Sequence, residues 1–472
     1  MSFMFWNCKN LSSLDLTNFN TTKVENMSGM FSGCQKLSSL TLSESFNTAN
    51  VTDMSNMFSY CINLSSLDIP NFNTAKVTDM SYMFNMCQKL TELNLSNFKT
   101  EKVKKMSYMF SYCNMLEKLN LSNFNTAEVT NMSGMFCGCY KLPSLNLSNF
   151  NTAKVTNMQE MFKGCSTLQT IYVSDNFVVT GITDENYKKD LFTGCEALPE
   201  YGDAKTSSDY ANYKTGYFTK LVVRNGDEKY GIKGETTQLT VDNLVLADNK
   251  DFVAYDPFKA TAASYNRTIN TTWATLCLPF EVSLVGQNFR AFELGSVSNN
   301  EVVLKELNTI ILAGTPVIIK MNEGETKLNF TEADKEIANE VKTAATANGN
   351  YQLMGLYTQK VFDKAADNNC YIVKGDKLMN PAKLAQNTNN KTVGSKPFRA
   401  YMVDKSSAPA AAGAKMFSIG FDNDSTTAID TLNAIANDKA EYYDLQGKRL
   451  NEPQKGINIV KRNGKTMKVI IK

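Results

Sequence analysis

The stretch that decides the fold runs from Leu119 to Cys139 and reads LNLSNFNTAEVTNMSGMFCGC. Variants of it return along the first 200 residues, each with a phenylalanine three residues before a cysteine, and successive cysteines are 26 or 27 residues apart until a last step of 30. After the cysteine comes L-x-x-L-x-L, as in Leu11, Leu14 and Leu16. A fixed period in this range with this leucine spacing is typical of leucine-rich repeats. The repeating cysteines are Cys8, Cys34, Cys61, Cys87, Cys113, Cys139, Cys165 and Cys195.

Each repeat divides into two halves with different patterns. The L-x-L piece alternates with period two, which predicts a short strand, and stacked copies then form a parallel ladder. The second half, for example Val24, Met27, Met30, Phe31 and Cys34, has apolar residues at helical spacing, which predicts a short helix or a turn. Neither half buries its apolar face alone, so only stacking closes the core. We therefore expect a leucine-rich-repeat solenoid with a 26-residue period.

The cysteines recur at one apolar position of the repeat, so a column of thiols in register is expected. Stacked equivalent cysteines serve most often as small buried hydrophobes. An occasional disulfide using the additional Cys137, and a metal or catalytic role, stay open as alternatives.

The phrases N-F-N-T and V-T-N-M-S-x-M-F, which recur over residues 1–199, resemble the BspA-like leucine-rich repeats of bacterial surface proteins. The sequence departs from commoner leucine-rich repeats in placing phenylalanine where an asparagine ladder turns the backbone. The neighbouring asparagines are expected to take over that role, with Lys99 as a gap. The resemblance implies an exported or surface-displayed adhesion or recognition protein, and it implies no catalytic residue. The phenylalanines are Phe19, Phe72, Phe98, Phe124 and Phe150, and the asparagines are Asn20, Asn47, Asn73, Asn125 and Asn151.

Solenoids usually bind their ligands on the concave face that the stacked strands create. The outward column between the paired leucines is small and polar, which fits either a solvated sheet face or a binding surface for a protein or an extended glycan. This repeat half lacks arginine and has 15 Lys against 17 Asp and Glu, which disfavours nucleic acid as a partner. The binding candidates are Asp15, Thr41, Asp68, Asn94, Asn120, Asn146 and Tyr172.

After a polar connector over residues 200–216, apolar runs of strand length separated by Gly, Asn and Asp predict an antiparallel β-sandwich or barrel over residues 217–421. Only Glu332–Ala345, reading EADKEIANEVKTAA, predicts a helix. The phrases starting at Trp273, Ala313 and Pro397 resemble a β-domain of uncharacterised surface proteins from host-associated anaerobic bacteria. The predicted strands are 218–223, 238–246, 273–282, 289–294, 302–307, 315–321, 351–357, 371–373, 398–403 and 416–421.

The C-terminal region is expected to hold a linker over residues 422–440 and a β-module over residues 441–472 with an Asn463-Gly464 hairpin turn. Its Y-D-L-Q-G-K-R phrase from Tyr443 and the strand that follows resemble the sorting-signal modules of exported proteins from the same bacteria. An ordinary terminal β-module with a basic face is the alternative.

Composition narrows the chemistry. The chain has no histidine, so Ser-His-Asp and Cys-His mechanisms and His-ligated metals are excluded. A net charge of +2 gives no field that would attract nucleic acid or an anionic membrane. We expect no catalytic site, no cofactor and no metal, and the sequence has no run of 18 apolar residues that would span a membrane.

The main hypothesis is a non-enzymatic surface or secreted protein that binds a host or matrix protein, or a glycan, through its repeats. The first alternative is a carbohydrate-binding or carbohydrate-active protein with its site in the β-domain, where carboxylates are available at Asp256, Glu281, Glu293 and Asp404. The second alternative is a structural spacer. The N-terminus lacks a signal sequence and begins inside a repeat, so we expect a fragment whose uncapped first repeat favours self-association.

Overall fold

The computed structural model describes residues 1–42, 46–298, 301–363, 366–381, 384, 393–406, 416–421, 441–443, 449–450, 456–462 and 465–471. The chain forms two compact units. The first, called the repeat unit here, comprises residues 1–222 and 229–239, and the second, the β-unit, comprises residues 223–228 and 240–472. The described secondary structure is mostly β, as the sequence predicts.

The strands of the repeat unit are short and in parallel register, one repeat apart. Leu14 pairs with Leu40, Leu93 pairs with Leu119, and Leu145 pairs with Ile171. Ile171 in turn pairs with Phe218, so the strand after the last repeat continues the ladder. The elements are β1 (Ser13–Asp15), β2 (Ser39–Thr41), β3 (Glu92–Asn94), β4 (Lys118–Asn120), β5 (Ser144–Asn146), β6 (Thr170–Val173), the 3-10 helices Glu185–Lys188 and Ser208–Tyr210, β7 (Phe218–Asn225) and β8 (Glu228–Ile232).

The second half of each repeat is a series of turns, so the helix alternative is wrong and the turn alternative is right. Alternate amides bond to the next repeat: Gly29 N–H donates to Ser55 O at 2.8 Å, and Phe31 N–H donates to Met57 O at 2.9 Å. The amide between them, Met30 N–H, bonds only three residues back, to Met27 O. Gly29 is also left-handed, whereas an α-helix needs right-handed residues and bonds four residues back.

Two columns of stacked phenylalanines fill the core of the repeat unit. In the first column neighbouring ring centroids are 5.3 to 5.8 Å apart, and in the second they are 5.9 to 6.5 Å apart. Phe72, Phe98, Phe124 and Phe150 are therefore core residues and do not turn the backbone. The first column is Phe5, Phe31, Phe58, Phe84, Phe110, Phe136, Phe162 and Phe192, and the second is Phe46, Phe72, Phe98, Phe124 and Phe150.

The cysteine column consists of free thiols, which confirms the expected reading. Each thiol from Cys34 onward is buried and donates to a phenylalanine carbonyl of the preceding repeat, as Cys139 Sγ does to Phe110 O at 3.2 Å. Cys137 is also buried and free.

Backbone turning is shared between asparagine and a threonine that the sequence analysis did not single out. The side chains of Asn20, Asn47, Asn73, Asn125 and Asn151 each accept a bond from the amide two residues on, which confirms the expected role. The next residue is a buried threonine that bonds across to the following repeat. Thr126 Oγ1, fully buried, donates to Asn151 O and accepts from Asn151 N–H, both at 2.9 Å. Equivalent threonines are Thr21, Thr48, Thr74, Thr100 and Thr152.

The β-unit contains a three-stranded sheet in the order β18-β11-β9 and a ten-stranded sheet in the order β12-β17-β14-β15-β26-β23-β22-β25-β20-β19. The two pack through Phe289 against Phe330, whose ring centroids are 5.8 Å apart. Most pairs are antiparallel, but β9 with β11 and β15 with β26 are parallel, which corrects a purely antiparallel expectation.

Strands β9 to β18 are β9 (Thr240–Ala247), β10 (Phe252–Ala254), β11 (Phe258–Thr268), β12 (Trp273–Leu276), β13 (Val282–Ser283), β14 (Phe289–Ser298), β15 (Glu301–Leu307), β16 (Ile310–Ile311), β17 (Val317–Met321) and β18 (Lys327–Ile337). The next are β19 (Thr343–Ala345), β20 (Tyr351–Leu356), β21 (Lys360–Val361), β22 (Cys370–Lys374), β23 (Lys377–Met379), β24 (Gly394–Ser395), β25 (Arg399–Asp404) and β26 (Met416–Phe421).

The helix predicted for Glu332–Ala345 is wrong. Residues 327–337 form β18, which pairs antiparallel with β11 from Thr268↔Lys327 to Phe258↔Ile337. Asp334 within the strand is left-handed, with φ of 50°. Pairing along the full length of β11 outweighs the local helix propensity of alanine, glutamate and lysine.

The C-terminal β-module contains β27 (Glu441–Tyr443), β28 (Arg449–Leu450), β29 (Gly456–Arg462) and β30 (Lys465–Ile471), ordered β28-β27-β29-β30. The predicted hairpin is present as the antiparallel pair of β29 with β30. Its turn at Asn463-Gly464, and the linker predicted over residues 422–440, lie outside the described residues.

Substituting Thr126→Val tests the threonine column. Valine removes a buried hydroxyl that makes two inter-repeat bonds and leaves Asn151 N–H and O without that partner, which is expected to lower the free energy of unfolding by about 1 to 3 kcal/mol. Thr126→Ser keeps the hydroxyl and is the control. Urea unfolding of the full chain, with hydrogen exchange read on peptides covering residues 100–160, measures the effect. Equal protection in the two variants would contradict it.

Candidate binding surfaces of the repeats

The predicted concave-face residues all point outward from the ladder. Asp15 pairs with Thr41, Asn94 with Asn120, and Asn146 with Tyr172 across adjacent strands. Asp15, Thr41, Asp68, Asn94 and Asn120 are exposed, whereas Asn146 and Tyr172 are half-buried. The Lys229 ammonium lies 5.9 Å from the centre of the Tyr172 ring, close enough for a cation–π contact.

Several of these side chains have a local structural task. Asp15, Asn94, Asn120 and Asn146 each accept a hydrogen bond from the amide two residues further on, at 2.9 to 3.2 Å. Such a bond turns the chain where the strand ends. Hydrogen bonds from the backbone amide and then the side chain of Thr17 lower the pKa of Asp15, so its carboxylate stays ionised at neutral pH. The regular spacing of these four Asp and Asn residues is therefore explained in part by their role in the turns.

A second outward column accompanies the first and was missed by the sequence analysis. Ser66, Glu92 and Lys118 lie on the other side of the central leucine, and with Asp68, Asn94 and Asn120 they line a shallow groove of about 640 Å³ across three repeats. In a strand, the residue before the central leucine and the residue after it lie on the same face. This column could therefore be predicted from the two-residue period of the strand.

A different surface, in the turn-rich half, carries exposed aromatic rings. We call Tyr60, Tyr82, Tyr108, Tyr112 and Tyr140 the tyrosine strip. Tyr60, Tyr82, Tyr112 and Tyr140 are 36 to 47% exposed, and Tyr82 stacks on Tyr108 with ring centroids 5.0 Å apart. Burial and the neighbouring Tyr60 raise the pKa of Tyr82, so its phenol is neutral at physiological pH.

Glycines in the following repeat make room for these rings. A Cβ atom at Gly134 would collide with the Tyr108 ring, and one at Gly138 would collide with the Tyr112 ring. The two rings therefore lie across the backbone of the next repeat. The result is a broad aromatic surface, because ring faces and edges extend over positions that carry no side chain of their own.

The backbone beneath the strip is strained. Tyr60, Tyr82, Tyr108 and Tyr112 have φ between 54° and 60°, in the left-handed region that costs a non-glycine residue about 1 to 2 kcal/mol. Several equivalent positions in other repeats carry residues that tolerate this conformation, such as Asn7, Gly29, Gly33 and Asn56, whereas Phe3, Met86 and Glu160 are left-handed as the tyrosines are. The sequence signal for this surface is a tyrosine at a repeat position where other repeats have Gly or Asn. It cannot be recognised as a signal until the backbone is known to be left-handed at that position.

The carboxylates considered for glycoside hydrolysis in the β-unit have separate environments. Glu293 pairs with Lys305 at 3.0 Å, and Glu281 lies 4.0 Å from Lys335. Asp404 is 1% exposed and accepts a bond from Ser406 N–H at 2.9 Å. Asp256 lies between β10 and β11.

The parallel register at a one-repeat offset defines the first part of the chain as a stacked repeat with two outward surfaces. Residues 1–118 and 87–198 match a family model described as "Mycoplasma protein of unknown function, DUF285". The chain is similar to the crystal structure of a leucine-rich cell surface protein from Faecalibacterium prausnitzii, at 19% identity and a TM-score of 0.23. The match covers 41% of this chain and 60% of the length of that protein. No curated protein matches the sequence. Within the described part of the chain, no helix is long and apolar enough to cross a membrane.

Replacing Tyr60 by asparagine tests the strain beneath the tyrosine strip. Tyr60→Asn is expected to be at least as stable as the parent chain, because asparagine tolerates the left-handed backbone, and more stable than Tyr60→Ala by about 0.5 to 1 kcal/mol. Both variants remove the same ring, so their difference isolates the backbone effect. Urea midpoints of the full-length variants measure it. A less stable asparagine variant would show that the ring, and not the backbone, sets the energy here.

The thiols give a second prediction. Burial raises the pKa of Cys34 to about 11 and those of Cys113 and Cys195 to about 12, whereas Cys8 is exposed. At pH 8 the buried groups are therefore protonated and inaccessible, and a thiol reagent is expected to label Cys8 alone rapidly in the native chain and all 11 cysteines after denaturation. Mass spectrometry counts the labels, and Cys8→Ser is expected to abolish the fast phase. Rapid native labelling of several repeat cysteines would contradict this structure of the core.

Proposed function

We propose that the chain is a non-enzymatic recognition protein that binds a macromolecule through its repeat unit. The observation that carries this proposal is the tyrosine strip, in which four exposed or half-exposed tyrosines occupy left-handed positions. Strain that folding does not require is most often retained for function. An extended aromatic surface suits an extended ligand, such as a protein segment or a glycan chain.

The strip has the chemistry of a binding surface. Tyrosine offers a large rigid apolar face and a hydroxyl that donates and accepts hydrogen bonds, and it is enriched where proteins bind ligands. The outward strand columns, with Asp68, Glu92 and Lys118, add charged and polar contacts on a separate surface. Thr41, Asp68 and Tyr172 remain binding candidates there, and Asp15, Asn94, Asn120 and Asn146 can contribute besides their role in the turns.

The recognition role is proposed to operate outside the cell, at a bacterial surface or as a secreted protein. The repeat phrases and the C-terminal phrase, both typical of exported proteins, support this location. Adhesion to a host or matrix component is the activity that such a location and such a surface favour. A sorting role for residues 441–472 is part of this proposal.

A carbohydrate site in the β-unit is the second candidate. It is favoured by an open depression of about 830 Å³ lined by polar groups that include Asn270, Arg290, Lys320 and Glu325. Lys320 lies over the Trp273 ring, 5.5 Å from its centre. A pure spacer would use neither surface.

Binding of the full chain to immobilised matrix proteins, mucins and polysaccharides tests the proposal. The triple variant Tyr60→Asn, Tyr82→Asn, Tyr112→Asn is expected to weaken saturable binding at least tenfold, because it removes exposed rings while suiting the backbone. The matched face control is Asp68→Ala, Glu92→Ala, Lys118→Ala. A second control away from both surfaces is Lys23→Ala, Glu25→Ala, Glu101→Ala, whose side chains are exposed.

Each outcome assigns the ligand to one place. Loss of saturable binding in the tyrosine variant supports the tyrosine strip as the binding surface. Loss of binding only in the Asp68, Glu92 and Lys118 variant assigns the site to the outward strand columns. Binding that survives both sets refutes the repeat unit as the binding element and favours the β-unit. The absence of any saturable ligand favours the spacer.

A further inference from the structure

A cluster of basic side chains surrounds a small cavity in the β-unit. We call Arg267, Trp273, Thr275, Lys396 and Arg399 the arginine pocket. They line a cavity of about 230 Å³ at the ends of β11, β12 and β25. Only six of the 49 basic residues of the chain are arginine, and two of these six meet here.

One arginine is paired and belongs to the fold. Arg399 Nη2 lies 2.6 Å from Asp248 Oδ1, and its Nη1 donates to the Tyr265 hydroxyl at 2.8 Å. Tyr265 completes the triangle by donating to Asp248 Oδ1 at 2.6 Å. The Arg399 side chain is only 12% exposed. The Asp248 carboxylate is therefore paired with the Arg399 guanidinium and accepts a hydrogen bond from the Tyr265 phenol.

The second arginine forms no direct ion pair with any carboxylate of the described residues. Within the described residues, Arg267 donates to a backbone carbonyl, Thr275 O, at 2.7 Å and forms no direct ion pair, although the Tyr265 phenol hydrogen-bonds to it and the more distant charge of Asp248 attracts it. Burial, and next the charge of Arg399, lower the pKa of Arg267 to about 10. Lys396 Nζ is 4.0 Å from Asp248 Oδ2. Within the described residues, three cations thus share the single Asp248 carboxylate, and the Arg267 guanidinium lines a cavity that carries excess positive charge.

We propose that the arginine pocket binds the carboxylate group of an acidic sugar residue. A guanidinium presents two parallel N–H donors that match a carboxylate. Lys396, 62% exposed at the edge of the pocket, adds positive charge. Thr271 and Ser395 also line the pocket and offer hydroxyl groups to the hydroxyls of a sugar ring. The cavity of about 230 Å³ is open to solvent, so the ligand can continue outward. The site is independent of the tyrosine strip.

Calorimetric titration of the full chain with sodium glucuronate at pH 7 tests this proposal. Glucose is the uncharged analogue, N-acetylglycine supplies a carboxylate without a sugar, and sulfate supplies an anion of another shape. We expect saturable binding of glucuronate, with glucose, N-acetylglycine and sulfate at least tenfold weaker. Equal affinity for sulfate would overturn the carboxylate assignment, and equal affinity for N-acetylglycine would overturn the sugar.

The variants separate a specific site from general charge. Arg267→Met is expected to weaken glucuronate binding at least tenfold, and Arg267→Lys to weaken it several-fold, because lysine keeps the charge but not the planar fork. Lys259→Met removes a charge from the same strand at an exposed position and is expected to leave the affinity for glucuronate unchanged. Circular dichroism checks folding, and the lysine variant carries the test if the methionine variant misfolds. Unchanged affinity in folded Arg267→Met would overturn the proposal.

Discussion

The repeat unit depends on one constraint, which is that every second amide of the turn-rich half bonds to the next repeat. A backbone that sends alternate N–H groups sideways cannot also bond four residues back, so it needs left-handed residues at fixed places in each repeat. The constraint holds even where the repeat length changes. In the 30-residue repeat, Phe162 still donates to Leu191 O and Gly164 to Thr193 O. The extra length includes the 3-10 helix Glu185–Lys188, outside this ladder.

The other columns follow from that register. Once equivalent residues stack, a phenylalanine must lie on a phenylalanine, and a thiol must meet the carbonyl of the preceding turn. The buried threonines satisfy amides and carbonyls at the corner where no ladder runs. Core positions are therefore uniform from repeat to repeat. The left-handed positions vary between Gly, Asn and large side chains, because the core does not restrict them.

Some features of this structure could be predicted from the sequence, and others could not. The leucine spacing predicted the parallel strands because strand alternation is local, and the cysteine column followed from its fixed apolar place. Helical spacing at Val24 to Cys34 misled because a repeated tight turn buries the same positions as a short helix. Glu332–Ala345 misled because the pairing of β18 with β11 is not encoded locally. The polar column at Asn94, Asn120 and Asn146 was correctly placed outward, but its turn bonds could not be read from composition. The tyrosine strip and the arginine pocket needed backbone angles and long-range contacts.

The two surfaces proposed to bind ligands share a physical property, which is that each retains something unfavourable to folding. The strip keeps tyrosines in a conformation suited to glycine, and the pocket keeps a guanidinium that forms no direct ion pair with any described carboxylate. The amide bonds of the strip positions involve only backbone atoms, so the ladder does not require tyrosine there. The direct ion pair at 2.6 Å from Asp248 is with Arg399, whereas Arg267 bonds to the Thr275 carbonyl of β12. The surrounding structure is stable enough to hold both. The strip works by ring contact and the pocket by charge, so a screening salt weakens the second far more than the first.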